Sequence, residues 1–288
     1  MKISKISLLY TVYIIGITGF FLYYLFPSNT LKTYLVYRLS QVNPYITVTI
    51  DRVSPVIPPG INLHDVGIFH QNKAFVDLDS LKIMPGILSL FSDKSTVNFK
   101  GRVNAGTISG RAELDDNSGG QKVKCDGRIS GIQMQGIPAL QRLPADKISG
   151  VLNGNFTYAD AGPNRSLEGK LTLSQCRIEL SEAVFNLKSL EFRDIDADLI
   201  LKNDTLTIKH TSAKGNQLDA DLTGTIGLTG QTGKDALNLT VSVTPHHLLL
   251  AKIEKILPMD FLRKRKAGKA AISFKIDGTM DEPGFSLN

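Results

Sequence analysis

One group of residues that could do chemistry consists of three carboxylates at alternate positions in the sequence. Asp194, Asp196 and Asp198 are separated by Ile195 and Ala197, so in a strand all three would lie on one face. Carboxylate oxygens are the ligands that Ca²⁺ and Mg²⁺ prefer, which makes a cation site one interpretation. A solvated polar strand face explains the same pattern, and we favour it.

The histidines and short motifs argue against an enzyme. His246 and His247 follow a predicted strand, where ordinary surface histidines are favoured over a metal ligand or a general base. No histidine has a partner at metal-ligand spacing. The sequence contains no phosphate-binding glycine loop, serine-hydrolase elbow or metalloprotease motif. We therefore predict a protein that is not an enzyme and that uses no cofactor or metal.

The two cysteines do not form a CxxC motif. Cys125 and Cys176 each fall on the apolar phase of a predicted strand, which favours two buried thiols that pack as small hydrophobic side chains. A disulfide is the alternative in an oxidising compartment, but it requires the two strands to be neighbours.

One dense basic cluster lies in the last part of the sequence, after an apolar stretch at helical spacing over 245–257. Such clusters bind anionic lipid headgroups, with a gain of about 1 kcal/mol per Lys or Arg, or an acidic partner; a solvated connector is the alternative. The remaining cations are scattered, and no tryptophan or basic–aromatic motif occurs, so nucleic acid is not an expected partner. The cluster consists of Arg263, Lys264, Arg265, Lys266 and Lys269.

The elements that would position these groups begin with an uncharged N-terminal segment, 6–26. A helix of that length spans about 30 Å, which matches the hydrocarbon core of a bilayer. The apolar run is longer than that of a signal peptide, and bulky side chains occupy the cleavage position, so we predict an uncleaved transmembrane helix. Two preceding lysines favour a cytoplasmic tail over 1–5 and a single-pass protein whose remaining chain lies outside the cytoplasm.

An amphipathic helix is predicted over 27–44. Five apolar residues share one face at helical spacing, and a proline closes the segment. This helix could continue the anchor, lie on the membrane surface as a collar, or pack against one end of a sheet. The apolar residues are Leu31, Tyr34, Leu35, Leu39 and Val42.

From residue 45 to 288 the periodicity becomes alternating, which indicates a β-rich domain. Short runs of alternating apolar and polar residues are separated by Gly, Asn, Asp and Ser. Because each run has one apolar and one polar side, we predict a mainly β fold: a long, curled antiparallel sheet with a few short helices. Parallel α/β architectures require strands that are apolar on both faces, so the alternation excludes them. The clearest runs are 46–50, 97–100, 108–114, 151–156, 167–173, 197–201, 206–208, 220–226, 237–243 and 272–276.

The apolar side of these strands is the candidate binding surface. It either closes on itself as an ordinary core or stays open as a groove that lipid or a partner occupies. The candidate groove residues are Val97, Phe99, Leu199, Leu201, Leu222, Ile226, Leu239, Val241, Phe274 and Ile276.

Three stretches behind the predicted anchor resemble a known family. They are PPGINLHDV at 58–66, LKIMPGILSLF at 81–91 followed by VNFKG at 97–101, and FKIDGTMDEPGFSL at 274–287. Together they resemble the AsmA-like superfamily, and most closely its type II secretion system protein N (GspN) branch of Gram-negative bacteria.

The resemblance implies a protein of the bacterial inner membrane whose domain over 45–288 lies in the periplasm as a curled sheet with an apolar groove. It implies a non-catalytic component of the type II protein secretion system, with other secretion components as partners. Members of the wider superfamily are associated with envelope lipid homeostasis, so the alternative is a protein that binds or transfers phospholipid.

Overall fold

In the part of the chain that the structure describes, fourteen antiparallel strands form one sheet, and their order in the sheet is their order in the chain. Helices α1 (Lys5–Tyr24) and α2 (Ser28–Val42) precede them. The structure, a computed structural model, describes residues 5–42, 45–57, 60–71, 73–86, 94–115, 122–142, 147–162, 164–184, 187–229, 233–247, 249 and 271–287. The strands are β1 Ile46–Val56, β2 Gly60–His70, β3 Lys73–Pro85, β4 Lys94–Val103, β5 Gly106–Asp115, β6 Lys122–Gln133, β7 Lys147–Ala161, β8 Asn164–Val184, β9 Leu187–Lys202, β10 Thr205–Gly215, β11 Leu218–Gly227, β12 Ala236–Pro245, β13 Ile272–Thr279 and β14 Pro283–Leu287.

Every strand pairs with the next one along the chain, so the sheet is a continuous meander. Tight turns make this possible. Between β4 and β5, Asn104 and Ala105 both have positive φ values, 40° and 65°, as a two-residue hairpin turn requires. The predicted mainly β fold with one long antiparallel sheet is confirmed, and the sheet is not closed.

In each of the first three strands the alternation of inward and outward side chains shifts by one residue, and the three shifts lie side by side in the sheet. On β1, Val48 and Ile50 are buried and then Val53, so the inward phase moves from even to odd positions after Asp51. The same change occurs on β2 at Asp65, which has a φ of 49°, and on β3 after Leu78. Because all three strands change together, their pairing stays in register across this level, and β2 and β3 shift register only further along, between Ile68 and Phe69.

Helix α2 packs against the inner side of this first part of the sheet. Leu31, Leu35 and Val36 contact a buried cluster that includes Val53 and Leu63. Of the alternatives for this segment, packing against one end of the sheet is therefore observed. The predicted apolar face was partly wrong, since Tyr34 and Leu39 are exposed and Val36, which was not predicted, packs inward; the side chain of Val42 lies outside the described residues.

Helix α1 covers most of the predicted anchor. Among the described residues, no helix is both long enough and apolar enough to cross a membrane.

Two buried clusters lie toward the same end of the strands, where even-numbered strands connect to the next odd-numbered ones. The first joins β1–β3 to Val103 and Ile132, and the second contains Cys176, Phe192 and Ala213. Short 3-10 helices, Met134–Gly136 and Leu140–Arg142, lie near that end. The predicted helix over 245–257 lies mostly outside the described residues.

Candidate functional site: the apolar face of the sheet

Every candidate groove residue lies on one face of the sheet. Cα partners in antiparallel strands direct their side chains to the same face, so that face can be followed from strand to strand. One row crosses all fourteen strands without a polar residue. It consists of Pro55, Ile61, Ile83, Phe99, Gly110, Gly127, Phe156, Gly169, Leu199, Ile208, Gly224, Leu239, Ile276 and Phe285.

Most of this face is only half-buried. Among the candidate groove residues Leu239 alone is buried, at 9% exposure, and the others are intermediate. Away from the two clusters the face becomes more open, and Leu167 on β8 is 37% exposed. The described part of the chain therefore covers the apolar face at one end of the strands and leaves it accessible toward the other.

Glycines on this face leave space that larger side chains would fill, and aromatic rings lie across two of these glycines. A methyl group at Gly127 would collide with the ring of Phe156, its partner on β7, and one at Gly110 would collide with that of Phe99. Gly169 differs, because a Cβ there would meet only the carbonyl oxygen of Asn155, at 3.9 Å. The space above Gly169 is therefore unfilled.

A polar group borders the apolar face at the β7–β8 turn. The Tyr158 hydroxyl donates to Asp160 Oδ2 at 3.1 Å, and Arg165 Nε lies 3.2 Å from the same oxygen. Burial, followed by the hydrogen bond to Asp160, raises the pKa of Tyr158, so the phenol stays protonated. This end of the face is suited to a ligand with an apolar body and a polar end.

The opposite face is polar and is joined by hydrogen bonds between strands. Asp194 and Asp196 accept hydrogen bonds from Ser174 at 3.0 Å and Thr172 at 2.7 Å on β8. Asp198 lies in the same phase, opposite Lys170. Within the described residues no group of three metal-ligating side chains converges, and these carboxylates lie on the polar face.

A cationic cluster on the polar face was missed by the sequence interpretation. Lys82 on β3 lies directly opposite Lys100 on β4, and Arg102 lies two residues further along β4 on the same face. The pattern Lys-x-Arg at 100–102 was the available signal, but the pairing of Lys82 with Lys100 depends on a register that the sequence does not reveal.

His246 joins the end of β12 to the β10–β11 turn. Its Nε2 lies 3.2 Å from Asp219 Oδ2 and its Nδ1 lies 3.1 Å from the carbonyl oxygen of Asn216. Only an imidazolium donates from both nitrogens, and these two hydrogen bonds raise the pKa of His246. Burial alone would raise the pKa of Asp219, but the hydrogen bonds from His246 and from the Gly215 N–H lower it overall. This arrangement is a structural ion pair.

The cysteines are free thiols. Cys176 is buried as predicted, whereas Cys125 is only half-buried, and β7 lies between their two strands. Burial raises the pKa of both thiols, and the charge of Asp126 adds to the increase for Cys125. Both side chains therefore remain protonated and act as small apolar groups.

The predicted basic cluster of Arg263, Lys264, Arg265, Lys266 and Lys269 lies outside the described residues. His247 is exposed and the prediction of a surface histidine stands for it. Compared with protein-family models, curated proteins and solved structures, the chain matches none.

Proposed function

We propose that this protein is a non-catalytic, membrane-anchored lipid-binding protein that shelters acyl chains on the apolar face of its sheet. The observation that supports this most strongly is the uninterrupted apolar row across fourteen strands, most of it half-buried. At about 4.8 Å between strands, the row is on the order of 60 Å long. Contiguous apolar surfaces of that extent are rare on soluble monomers unless they bind something.

Acyl chains suit this surface better than a polar ligand. The row offers aliphatic and aromatic side chains and glycine backbone, and the polar group of Tyr158, Asp160 and Arg165 lies at the border of the face. Covering a half-exposed Leu or Phe gains roughly 1 kcal/mol, so a chain that contacts several strands would bind without any specific hydrogen bond.

The anchor is part of the proposal and comes from the uncharged segment 6–26, since the described residues contain no helix that is both long and apolar enough to cross a membrane. Along α1 the side chains of Leu9, Ile14, Phe20 and Phe21 are more than half exposed. Large apolar side chains exposed along a helix of about 30 Å are stable in a bilayer and costly in water. The lysines at the start of the chain favour a cytoplasmic N-terminus. The sheet would then lie on the other side of the membrane, in the periplasm.

The test is photocrosslinking at matched positions on the two faces. A crosslinking residue at Leu222, Leu239 or Phe274 lies on the apolar face, and one at Thr223, Thr240 or Lys275 lies next to it on the polar face. We expect phospholipid adducts from intact cells at the first set and none at the second. Adducts only within the chain itself at the first set would show a closed core and contradict the proposal.

A role in type II secretion stays a prediction from the sequence resemblance. The same experiment bears on it, because adducts from the apolar face to a secretion component would favour that role over lipid binding. Failure of the full-length protein to copurify with any secretion component would count against it.

A further inference from the structure

A second binding surface lies on the opposite, polar face, across strands β3, β4 and β5. Lys82 pairs with Lys100, which pairs with Ser109, and the adjacent row pairs Ser80 with Arg102 and Arg102 with Thr107. Side chains of paired residues lie about 5 Å apart on one face of the sheet. Alternate residues of one strand lie about 7 Å apart on that same face. Three cations and three hydroxyls therefore form a compact block with no carboxylate inside it.

Several cations elsewhere on the polar face are held in ion pairs, whereas, among the described residues, those of this block are not. Arg177 is paired with Glu191, Lys124 with Asp126, and Lys275 with Asp277. Within the described part of the chain, Lys82, Lys100 and Arg102 form no ion pair or side-chain hydrogen bond. The nearest carboxylate along β3 is Asp79, beyond Ser80, and it forms no ion pair with Arg102.

Like charges directly opposite each other in a sheet destabilise it, so Lys82 and Lys100 weaken the strand pair that holds them. An anion between them would remove that repulsion. The block also surrounds a shallow pocket of about 140 Å³ that is lined by Ser80, Lys82, Lys100, Gly101, Arg102 and Thr107. Its lining thus combines a planar guanidinium, two ammonium groups and hydroxyl donors around a glycine backbone.

We propose that this block is a binding site for a phosphate group. Phosphate oxygens accept hydrogen bonds from hydroxyls and from both types of cation, and the guanidinium fork of Arg102 matches two of those oxygens at once. The phosphate is that of an anionic lipid headgroup or a free phosphate ion. The proposal is independent of the acyl-chain surface, because the two lie on opposite faces of the sheet.

The test is reductive methylation of lysines in the full-length protein, measured by mass spectrometry. In a non-ionic detergent, inorganic phosphate is the probe; in nanodiscs, phosphatidylcholine alone is compared with a mixture that contains phosphatidylglycerol. We expect phosphate to slow methylation of Lys82 and Lys100 several-fold, while Lys170 on β8, which is exposed on the same face, is unaffected.

Protection by inorganic phosphate identifies a site for the free ion, and protection only in the anionic nanodiscs identifies a headgroup. Equal methylation of Lys82 and Lys100 under all conditions, or equal protection of Lys170, overturns the proposal.

Arg102→Gln tests the site, because it removes the guanidinium group and leaves in place Lys82 and Lys100, the two lysines whose methylation is measured. Loss of one charge-assisted hydrogen-bonding partner should raise the phosphate or anionic-lipid concentration needed for half-protection about tenfold. The matched control is Arg177→Gln on β8, which removes the same charge from the same face and should leave protection unchanged. An equal effect of the two variants would show that net charge alone is responsible and would overturn the proposal.

Discussion

Gly127 and Phe156 are paired on neighbouring strands, and the ring of Phe156 occupies the space that a side chain at Gly127 would need. The aromatic ring replaces the contacts that glycine cannot make, and it lies low across the apolar face. Gly169, on the other side of Phe156, has no such ring above it. Two glycines in one row therefore have different roles: one accommodates a ring and the other leaves space.

We predict that Gly127→Ala destabilises the protein by about 1 kcal/mol, because the added methyl group forces the half-buried Phe156 ring from its position. Gly169→Ala is the matched control; it should be neutral or stabilising by up to about 1 kcal/mol through loss of unfolded-state entropy. Denaturant unfolding of the full-length protein in detergent measures both. Equal effects of the two substitutions would contradict the assignment of Phe156 to the space above Gly127.

The His246–Asp219 pair predicts a defined pH dependence. The raised pKa of His246 means that its contribution to stability is fully present below its ordinary value of 6.5 and is lost as the pH rises through the folded-state value. The lowered pKa of Asp219 means that its contribution is present above its ordinary value of 3.8 and is lost as the pH falls through the folded-state value.

The difference in Tm between the natural protein and His246→Gln should therefore be largest between pH 3.8 and 6.5 and should shrink at higher pH. His247→Gln, at the neighbouring exposed residue, is the control and should show no such window. A difference that is constant across the pH range would mean that the ion pair does not contribute to stability.

At the scale of elements, α2 is the part of the fold that depends on few contacts. Leu31, Leu35 and Val36 join it to the first buried cluster, and Lys32 Nζ donates to the carbonyl oxygen of Asp51 at 2.8 Å. The helix thus covers the inner face of the first strands, where the buried side chains of Val53 and Leu63 lie. Its attachment should be sensitive to a single apolar side chain.

We predict that Leu35→Ala destabilises the protein by about 1–2 kcal/mol, less than for a fully buried leucine because Leu35 is half-buried. Leu39→Ala makes the same chemical change one helical turn later, where the side chain is 39% exposed, and should cost less than about 0.5 kcal/mol. Thermal unfolding of the two variants compares them. A larger loss for Leu39→Ala would mean that the other face of α2 is the packed one.

A strand could be predicted from the sequence where apolar and polar residues alternate along it. Runs such as 220–226 and 237–243 lie within β11 and β12, because each has one inward and one outward phase throughout. Strands β2 and β3 were harder, since the inward phase changes at Asp65 and after Leu78 and no single alternation describes either strand. The candidate groove residues could be assigned to one face for the same reason as the strands. Whether that face is covered depends on contacts between distant segments, which alternation does not encode.

At the scale of the whole molecule, each strand pairs only with the strands before and after it in the chain. Stability in such an arrangement is close to a sum of local contributions, as in repeat proteins. The contributions are unequal, because β1–β3 belong to the larger buried cluster together with α2. The short last strand β14 pairs only with β13 and exposes Phe285.

Amide hydrogen exchange should therefore follow a gradient along the sheet. We expect the slowest exchange near Val53 and Leu63, where the side chains are 1% and 3% exposed, and the fastest strand exchange in β14. Mass spectrometry of peptides from the exchanged full-length protein measures this directly. A uniform exchange rate across all strands would indicate one cooperative unit and would contradict the additive description.

The meander also bears on how such a protein can change in length over evolution. Because no strand is inserted between two others that are distant in sequence, duplication or loss of one hairpin alters the sheet by two strands without rethreading any connection. Each such event would lengthen or shorten the apolar row by about 10 Å. Descendants with a longer or shorter apolar row could thus arise by small insertions and deletions, while the two core clusters at the strand ends are retained.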